Sequence, residues 1–162
     1  MHSNKDQFIH LTQHWLKFRI FLLSRLPAAF FSGVRVKTID ETKAIVTVPY
    51  KWFSQNPFKS TYFACLAMAA EMSTGLLAMM HTYKSHPPVS MLVTGLEAAY
   101  FKKATGITAF TCEGGLAINN TIQEAISTGE GKIIKIKSTG KNDNGELVAE
   151  FFITWSFKVK NI

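Results

Sequence analysis

From Ser60 to Met80 the chain reads STYFACLAMAAEMSTGLLAMM, rich in Ala, Met and Leu, with Glu71 as its one charged residue. A helix that is apolar on nearly every face must be enclosed, by protein or by lipid. The segments on either side alternate apolar and polar residues with period two, as half-buried strands do. The simplest arrangement for such an α+β chain is one antiparallel sheet wrapped around a central helix. Glu71 then needs an explanation, because a buried carboxylate without a partner is costly.

Lipid is the weaker of the two enclosures. Thr61–Met80 has the length for a span, about 30 Å at 1.5 Å per residue. A carboxylate at a bilayer centre would cost roughly 2.5–3.5 kcal/mol, and strand-like segments flank the helix on both sides. Phe18–Phe31 is interrupted by Arg19, Arg25 and Pro27, which leaves it too short and too charged. The first residues, MHSNKDQ, precede no clean apolar stretch of the kind a secretory signal needs. No stable membrane insertion and a cytoplasmic location are expected. Cys65 and Cys112 have no metal spacing and read as reduced, buried small hydrophobes.

A chain of 162 residues with 47% hydrophobic and 18% charged content fits one domain over 1–162, with an N-terminal amphipathic helix through residue 27 and a core from 28 onward. Its net charge of +7 favours anionic partners: nucleotide phosphates, acidic lipid or nucleic acid. Nucleic acid is set aside because no recognition motif accompanies the charge.

In order, residues 6–26 form the first helix, with Phe8, Leu11, Trp15, Phe18 and Leu22 on its apolar stripe and Pro27 ending it. Strands follow over 32–39 and 43–50, joined by a tight turn at Asp40–Glu41–Thr42, and a loop, KWFSQNPFK, leads to the central helix. HTYKSHPP breaks that helix. A strand over 89–102 turns at residues 104–106 into another over 107–117. Asn119 or Asn120 caps a short helix that ends at Gly129. The last hairpin pairs 132–138 with 146–159 through TGKNDNG. In the final strand Leu147, Ala149, Phe151, Ile153, Trp155 and Phe157 share one face, while Glu150, Thr154, Ser156 and Lys158 share the other.

This order, with an Asn–Pro loop entering a long buried helix, resembles the hotdog fold. From about Pro27 to Val159 the chain is similar to acyl-CoA thioesterases of the phenylacetic-acid-degradation type. It is closer still to a thioesterase-like branch of that superfamily catalogued as a domain of unknown function. In those thioesterases an Asn precedes the helix, a backbone N–H near the helix start faces the thioester oxygen, and an acidic residue follows two turns later. Asn56 and Glu71, fifteen positions apart, stand at the family spacing. Tyr62-Phe63-Ala64 replaces the family's His-Gly-Gly. The family's Ser or Thr on the next strand has Thr94 as its nearest counterpart and Ser90 as the second.

The resemblance implies a thioester hydrolase. Glu71 would activate water or attack the carbonyl, the Phe63 amide would hold the oxyanion, and Asn56 and Thr94 would orient carbonyl and water. Tyr62, Ser90, Lys102 and Lys103 would contact substrate, the lysines through coenzyme A phosphates. No metal or redox cofactor is implied, coenzyme A entering only as part of an acyl-CoA-like substrate.

Plainer readings stand beside these. Glu71 can be a structural carboxylate bonded to a strand or to a second subunit, Asn56 a turn residue before Pro57, and the lysines solvated strand-end charges. His10 and His14 have i, i+4 spacing but lack the intervening Glu of a zinc-protease helix. Neither a GxSxG elbow nor a Gly-rich phosphate loop is present. Independently of any family, Phe63 and Glu71 lie eight residues apart on one helix, about 12 Å along its axis. One thioester carbon cannot touch both, so a reaction that uses both needs two chains, in a dimer or a dimer of dimers. The rival to the enzyme is a non-catalytic acyl-ligand or lipid-binding module with its aromatic N-terminal helix as a lid or membrane-surface element.

Overall fold

The computed structural model describes residues 3–160. The long apolar run forms helix α4, Phe63–Thr82, whose residues from Cys65 to His81 are mostly buried. Six antiparallel strands enclose it in one sheet: β1 (Arg35–Ile39), β2 (Ala44–Pro49), β3 (Val89–Tyr100), β4 (Ile107–Cys112), β5 (Lys132–Lys141) and β6 (Leu147–Val159). Their order is β1-β2-β4-β5-β6-β3. Helix α4 touches all six, so the fold is the hotdog arrangement of a sheet wrapped around one helix. It is the one helix among the described residues long and apolar enough to cross a membrane, and 67% of its most apolar window is buried inside the protein.

The enclosing surface follows from strand alternation. Phe151, Ile153, Trp155 and Phe157 of β6 all point inward and are buried, as are Val46 and Val48 of β2 and Phe110 and Cys112 of β4. Two hydroxyls on α4 that face this core are matched. Ser73 and Ser138 share a hydrogen bond of 2.8 Å, and the Trp155 indole donates to Thr74 Oγ1 at 2.9 Å. Such pairing removes the desolvation penalty of a buried hydroxyl. Both cysteines are free and buried, and burial pushes the Cys112 thiol up to about 11.

Five elements depart from the sequence expectation. Residues 6–26 are two helices, α1 (Asn4–Gln13) and α2 (Trp15–Arg25), with His14 between them in an extended conformation. The break rotates the apolar stripe. Phe8, Phe18 and Leu22 are buried, whereas Leu11 and Trp15 face solvent. Pro27 does more than end a helix: it opens α3, Pro27–Phe31, at the position where its missing N–H is harmless. That helix takes the beginning of the expected 32–39 strand, and β1 starts only at Arg35.

Strand β4 stops at Cys112 rather than Ala117. Helix α5, Gly115–Thr128, starts there with Gly114 as its cap, one turn before the Asn119 or Asn120 cap read from the sequence. Strand β5 in turn runs through Thr139–Gly140 to Lys141. At Gly140 a Cβ would lie 2.5 Å from the Phe110 ring, so the glycine that reads as a turn signal is a packing residue within the strand.

The early start of α5 has a tertiary cause. The β1–β2 turn is tied by Asp40, whose Oδ1 accepts from Thr42 N, Thr42 Oγ1 and Lys43 N at 2.7–2.9 Å. That turn lies directly on Gly115, whose N–H donates to the Thr42 carbonyl at 2.9 Å. A Cβ on Gly115 would sit 2.2 Å from the Glu41 carbonyl oxygen and 2.7 Å from Thr42 Cα, both backbone atoms. Gly115→Ala is therefore expected to destabilise the fold by about 2–3 kcal/mol in urea unfolding. Gly131→Ala, with its nearest atom 3.9 Å away, should change stability by less than about 1 kcal/mol.

Candidate active site

The loop before α4 is organised by Asn56. Its Oδ1 accepts from Phe58 N (2.9 Å) and Ser60 N (3.2 Å), and its Nδ2 donates to Ser60 Oγ (3.1 Å) and the Thr61 carbonyl (3.4 Å). An Asn that bonds the backbone two residues on forms its own turn, which is how this loop reverses after Pro57. Thr61 N–H then bonds the Ala104 carbonyl at 2.8 Å and Tyr62 N–H the Ser54 carbonyl at 2.7 Å, which fixes the entry to the helix. Tyr62 caps α4 through its backbone, with no side-chain cap. The amides of Phe63 and Ala64, at the start of the first turn, are left without a hydrogen-bond partner among the described residues.

Phe63 borders a cleft of about 520 Å³ lined by the 56–63 loop and helix start and by residues 100–104 at the end of β3. Five of the eight residues singled out in the sequence line it: Asn56, Tyr62, Phe63, Lys102 and Lys103. The Tyr62 and Phe63 rings meet edge to face at 4.8 Å and are both exposed. Lys102 is paired with Glu146, which lies at the base of the β5–β6 hairpin. Lys103 Nζ reaches the Phe58 carbonyl at 3.4 Å. Tyr100 and Phe101 also line the cleft. Sequence reasoning did not single them out as site residues, although two aromatic residues directly before the lysine pair were a usable signal.

Glu71, Thr94 and Ser90 lie elsewhere. Glu71 is two turns along α4, half-buried, and its carboxylate has no hydrogen bond or ion pair among the described residues. Burial alone raises its pKa above the ordinary 4.5. Room for the carboxylate comes from Gly75, one turn on, where a Cβ would lie 3.0 Å from Glu71 Oε1 and 3.3 Å from the Trp155 ring. Any larger residue there would displace the acid. Thr94 is the extra residue of a bulge in β3, between Val93 paired with Trp155 and Gly95 paired with Thr154. Its Oγ1 donates to the Thr154 carbonyl at 3.4 Å, and Ser90 Oγ donates to the Lys158 carbonyl at 2.9 Å.

The least buried stripe of α4 runs through Phe63, Ala67, Met68, Glu71 and Met79. Beside it the helix-facing side of β3 is covered at Val93 but open at Leu96, Ala98 and Tyr100. The Glu71 carboxylate therefore opens toward an apolar seam between the central helix and an edge strand.

The sequence matches a family described as a domain of unknown function (DUF4442) over residues 18–157. No curated protein matches. Among solved structures, a Pseudomonas aeruginosa protein called a probable thioesterase superposes with a TM-score of 0.73 at 18% identity, over 99% of each chain. A Chlorobaculum tepidum protein of unknown function gives 0.74 at 20% identity, over 93% of this chain and 98% of that one. A Haemophilus influenzae thioesterase gives 0.62 at 11% identity, over 86% and 88%. At such identities the likeness establishes the fold, and the family match covers most of the chain. The protein belongs to the DUF4442 family and has the hotdog fold.

Proposed function

We propose that the protein hydrolyses an acyl-CoA or related thioester, in a site assembled between two copies of the chain. The observation that carries this reading is the Glu71 carboxylate, unpartnered, half-buried and raised in pKa by burial alone. A purely structural acid would be expected to have a bond partner within its own chain. A carboxylate with a raised pKa is matched to proton transfer near neutrality. The thioesterases among the structural neighbours favour the same chemistry.

In this scheme Glu71 takes a proton from water as the water oxygen attacks the thioester carbon. The oxyanion that forms is held by the Phe63 N–H of the other chain, at the positive end of α4. Collapse of the intermediate breaks the carbon–sulfur bond, and the proton on Glu71 returns to the leaving thiolate, which gives acid and free thiol. Asn56 acts as a positioning residue, because its polar atoms are engaged in holding the loop that presents the amide. Lys102 and Lys103 face phosphates at the cleft. The water-orienting role of Thr94 and the substrate contact of Ser90 rest on the family resemblance. A soluble, cytoplasmic homodimer or dimer of dimers suits this chemistry, since the open stripe of α4 and the apolar side of β3 would be covered by the second copy. The second reading, a non-catalytic acyl-ligand-binding module, draws on the Tyr62 and Phe63 rings that crowd the cleft. Release of coenzyme A from a panel of acyl-CoAs distinguishes the two.

Glu71→Gln is expected to keep the fold and lower thioester hydrolysis at least about a hundredfold; unchanged turnover would remove Glu71 from the mechanism. Because burial raises the folded-state pKa, the wild type has its full share of stability from this group below the unfolded value. It loses that share as pH rises from about 4.5 through the raised pKa. Glu71→Gln should not show this loss in urea unfolding across the same range.

Replacing Lys102 and Lys103 together with Ala should raise KM and flatten its salt dependence. Wild-type KM at both low and high salt would place the phosphate contacts elsewhere.

Phe63→Pro removes the proposed oxyanion donor with little cost to the helix. Phe63 is the first helical residue, where proline is favoured, and Tyr62 already has φ −61° and ψ 134°, as a residue before proline requires. Mixing inactive Phe63→Pro chains with inactive Glu71→Gln chains should restore part of the activity, since each mixed dimer has one intact site. No recovery from exchanging, folded chains would refute a shared site.

A further inference from the structure

Helix α2 is apolar on two opposite faces. Phe18 and Leu22 are buried against the core, while Leu16, Ile20 and Leu23, at i, i+4 and i+7 spacing, form a stripe on the other side. Their exposures are 48%, 59% and 47%, and Trp15 at the start of the helix is 74% exposed. The apolar surface continues past Leu26 to α3, where the exposed Phe31 ring meets Phe53 at 5.4 Å, and Phe53 meets Trp52 at 4.7 Å. Trp52 is 75% exposed. Surfaces of this kind mark sites of interaction.

Charge identifies the occupant. Between Gln7 and Ile39 the chain carries no Asp or Glu and five cations: Lys17, Arg19, Arg25, Arg35 and Lys37. On the helical wheel Lys17 and Arg19 flank the Leu16–Ile20–Leu23 stripe on its two sides. The Arg19 guanidinium is braced 3.8 Å over the Phe30 ring, and Lys17 and Arg25 are exposed. A second copy docked here across a two-fold axis would set Lys17 and Arg19 against their own kind, with no acid in the segment to pair them. A surface of apolar side chains, two exposed tryptophans and cations alone matches the boundary of an anionic bilayer. There rings and aliphatic chains enter the headgroup region and Lys and Arg meet lipid phosphates.

We propose that the α2–α3 face, with the Trp52–Phe53 turn, docks reversibly on anionic lipid membranes. This peripheral contact stands apart from the thioester chemistry and from α4, which stays in the core.

The test uses the full chain and vesicles of phosphatidylcholine with or without phosphatidylglycerol. Binding by co-sedimentation is expected at least about tenfold tighter with phosphatidylglycerol and weaker as salt rises from about 0.1 M to about 1 M. Trp15 and Trp52 are exposed and Trp155 is buried, so tryptophan emission should shift to the blue on binding. Leu16→Gln/Ile20→Gln/Leu23→Gln should weaken binding at least about tenfold. Lys17→Glu, at an exposed position beside the stripe that leaves the apolar faces untouched, should weaken binding severalfold and decides the matter if the triple variant does not fold. Absence of binding, equal affinity for neutral and anionic vesicles, or full binding by the charge-reversed variant would each overturn the proposal. So would a wild type that ignores vesicles and dissociates from dimer to monomer when the leucine stripe is made polar, since the surface would then be a contact between copies.

Discussion

Enclosure of α4 is the constraint on which the remaining structure depends. Most of the helix from Cys65 to His81 is buried, so the sheet must cover it, and each strand does so with its apolar side. Residues such as Ala69, Ala70, Gly75 and Ala78 let large inward side chains from β6 and β4 approach closely. Burying such side chains contributes on the order of 1.5–3 kcal/mol each. Two of the hydroxyls brought along, on Ser73 and Thr74, are satisfied across the layer by Ser138 and Trp155. Helix α5 rests on α4, β5 and β6, and α1 on α4 and β1, which covers what the sheet leaves open.

The candidate site arises where that enclosure is incomplete. At the first turn of α4 the loop held by Asn56 and the end of β3 leave a cleft instead of a packed layer, and backbone amides remain available there. At Glu71 the sheet edge does not close over the helix, because β3 is the last strand and its second half carries no further neighbour. Burial raises the pKa of the acid, and the open edge leaves it without a partner among the described residues. A carboxylate fully inside the core would require an ion pair, and one fully in water would keep its ordinary pKa. Glu71 lies between these limits, with Gly75 providing the room and Trp155 the apolar wall.

Much of the fold is legible in the chain itself. The enclosed helix, the edges of β2 and β6, the Asp40 turn and the alternation in β6 follow from periodicities that local geometry imposes. The cleft residues Asn56, Tyr62, Phe63, Lys102 and Lys103 could be named in advance because the resemblance to hotdog thioesterases points to the Asn–Pro loop, the helix start and the end of the following strand. The break at His14, which turns Trp15 outward, is capped locally, the His14 ring accepting from Lys17 N–H at 3.5 Å. The start of α5 at Gly115 is instead set by the Glu41 and Thr42 backbone, some seventy positions earlier in the chain. Gly140 belongs to a strand because Phe110 needs the space above it. Neither of these two contacts is local, so no window of neighbouring residues records them.

By itself, then, the sequence determined that an apolar helix with a single acid would lie inside an antiparallel sheet, since period and composition decide what must be buried. It also set the twelve-ångström separation of Phe63 and Glu71, which is a property of helix rise alone. Only the tertiary structure decided which apolar residues remain in solvent and which polar ones lose their partners. Leu16 and Leu22 are the same residue type in one helix, yet one is buried and the other is not. Glu71 stands out as the one acid of an apolar helix, but its desolvation without a partner among the described residues is a product of packing. Exposure and desolvation depend on what long-range packing places next to a side chain, and that is fixed once the sheet has closed around the helix.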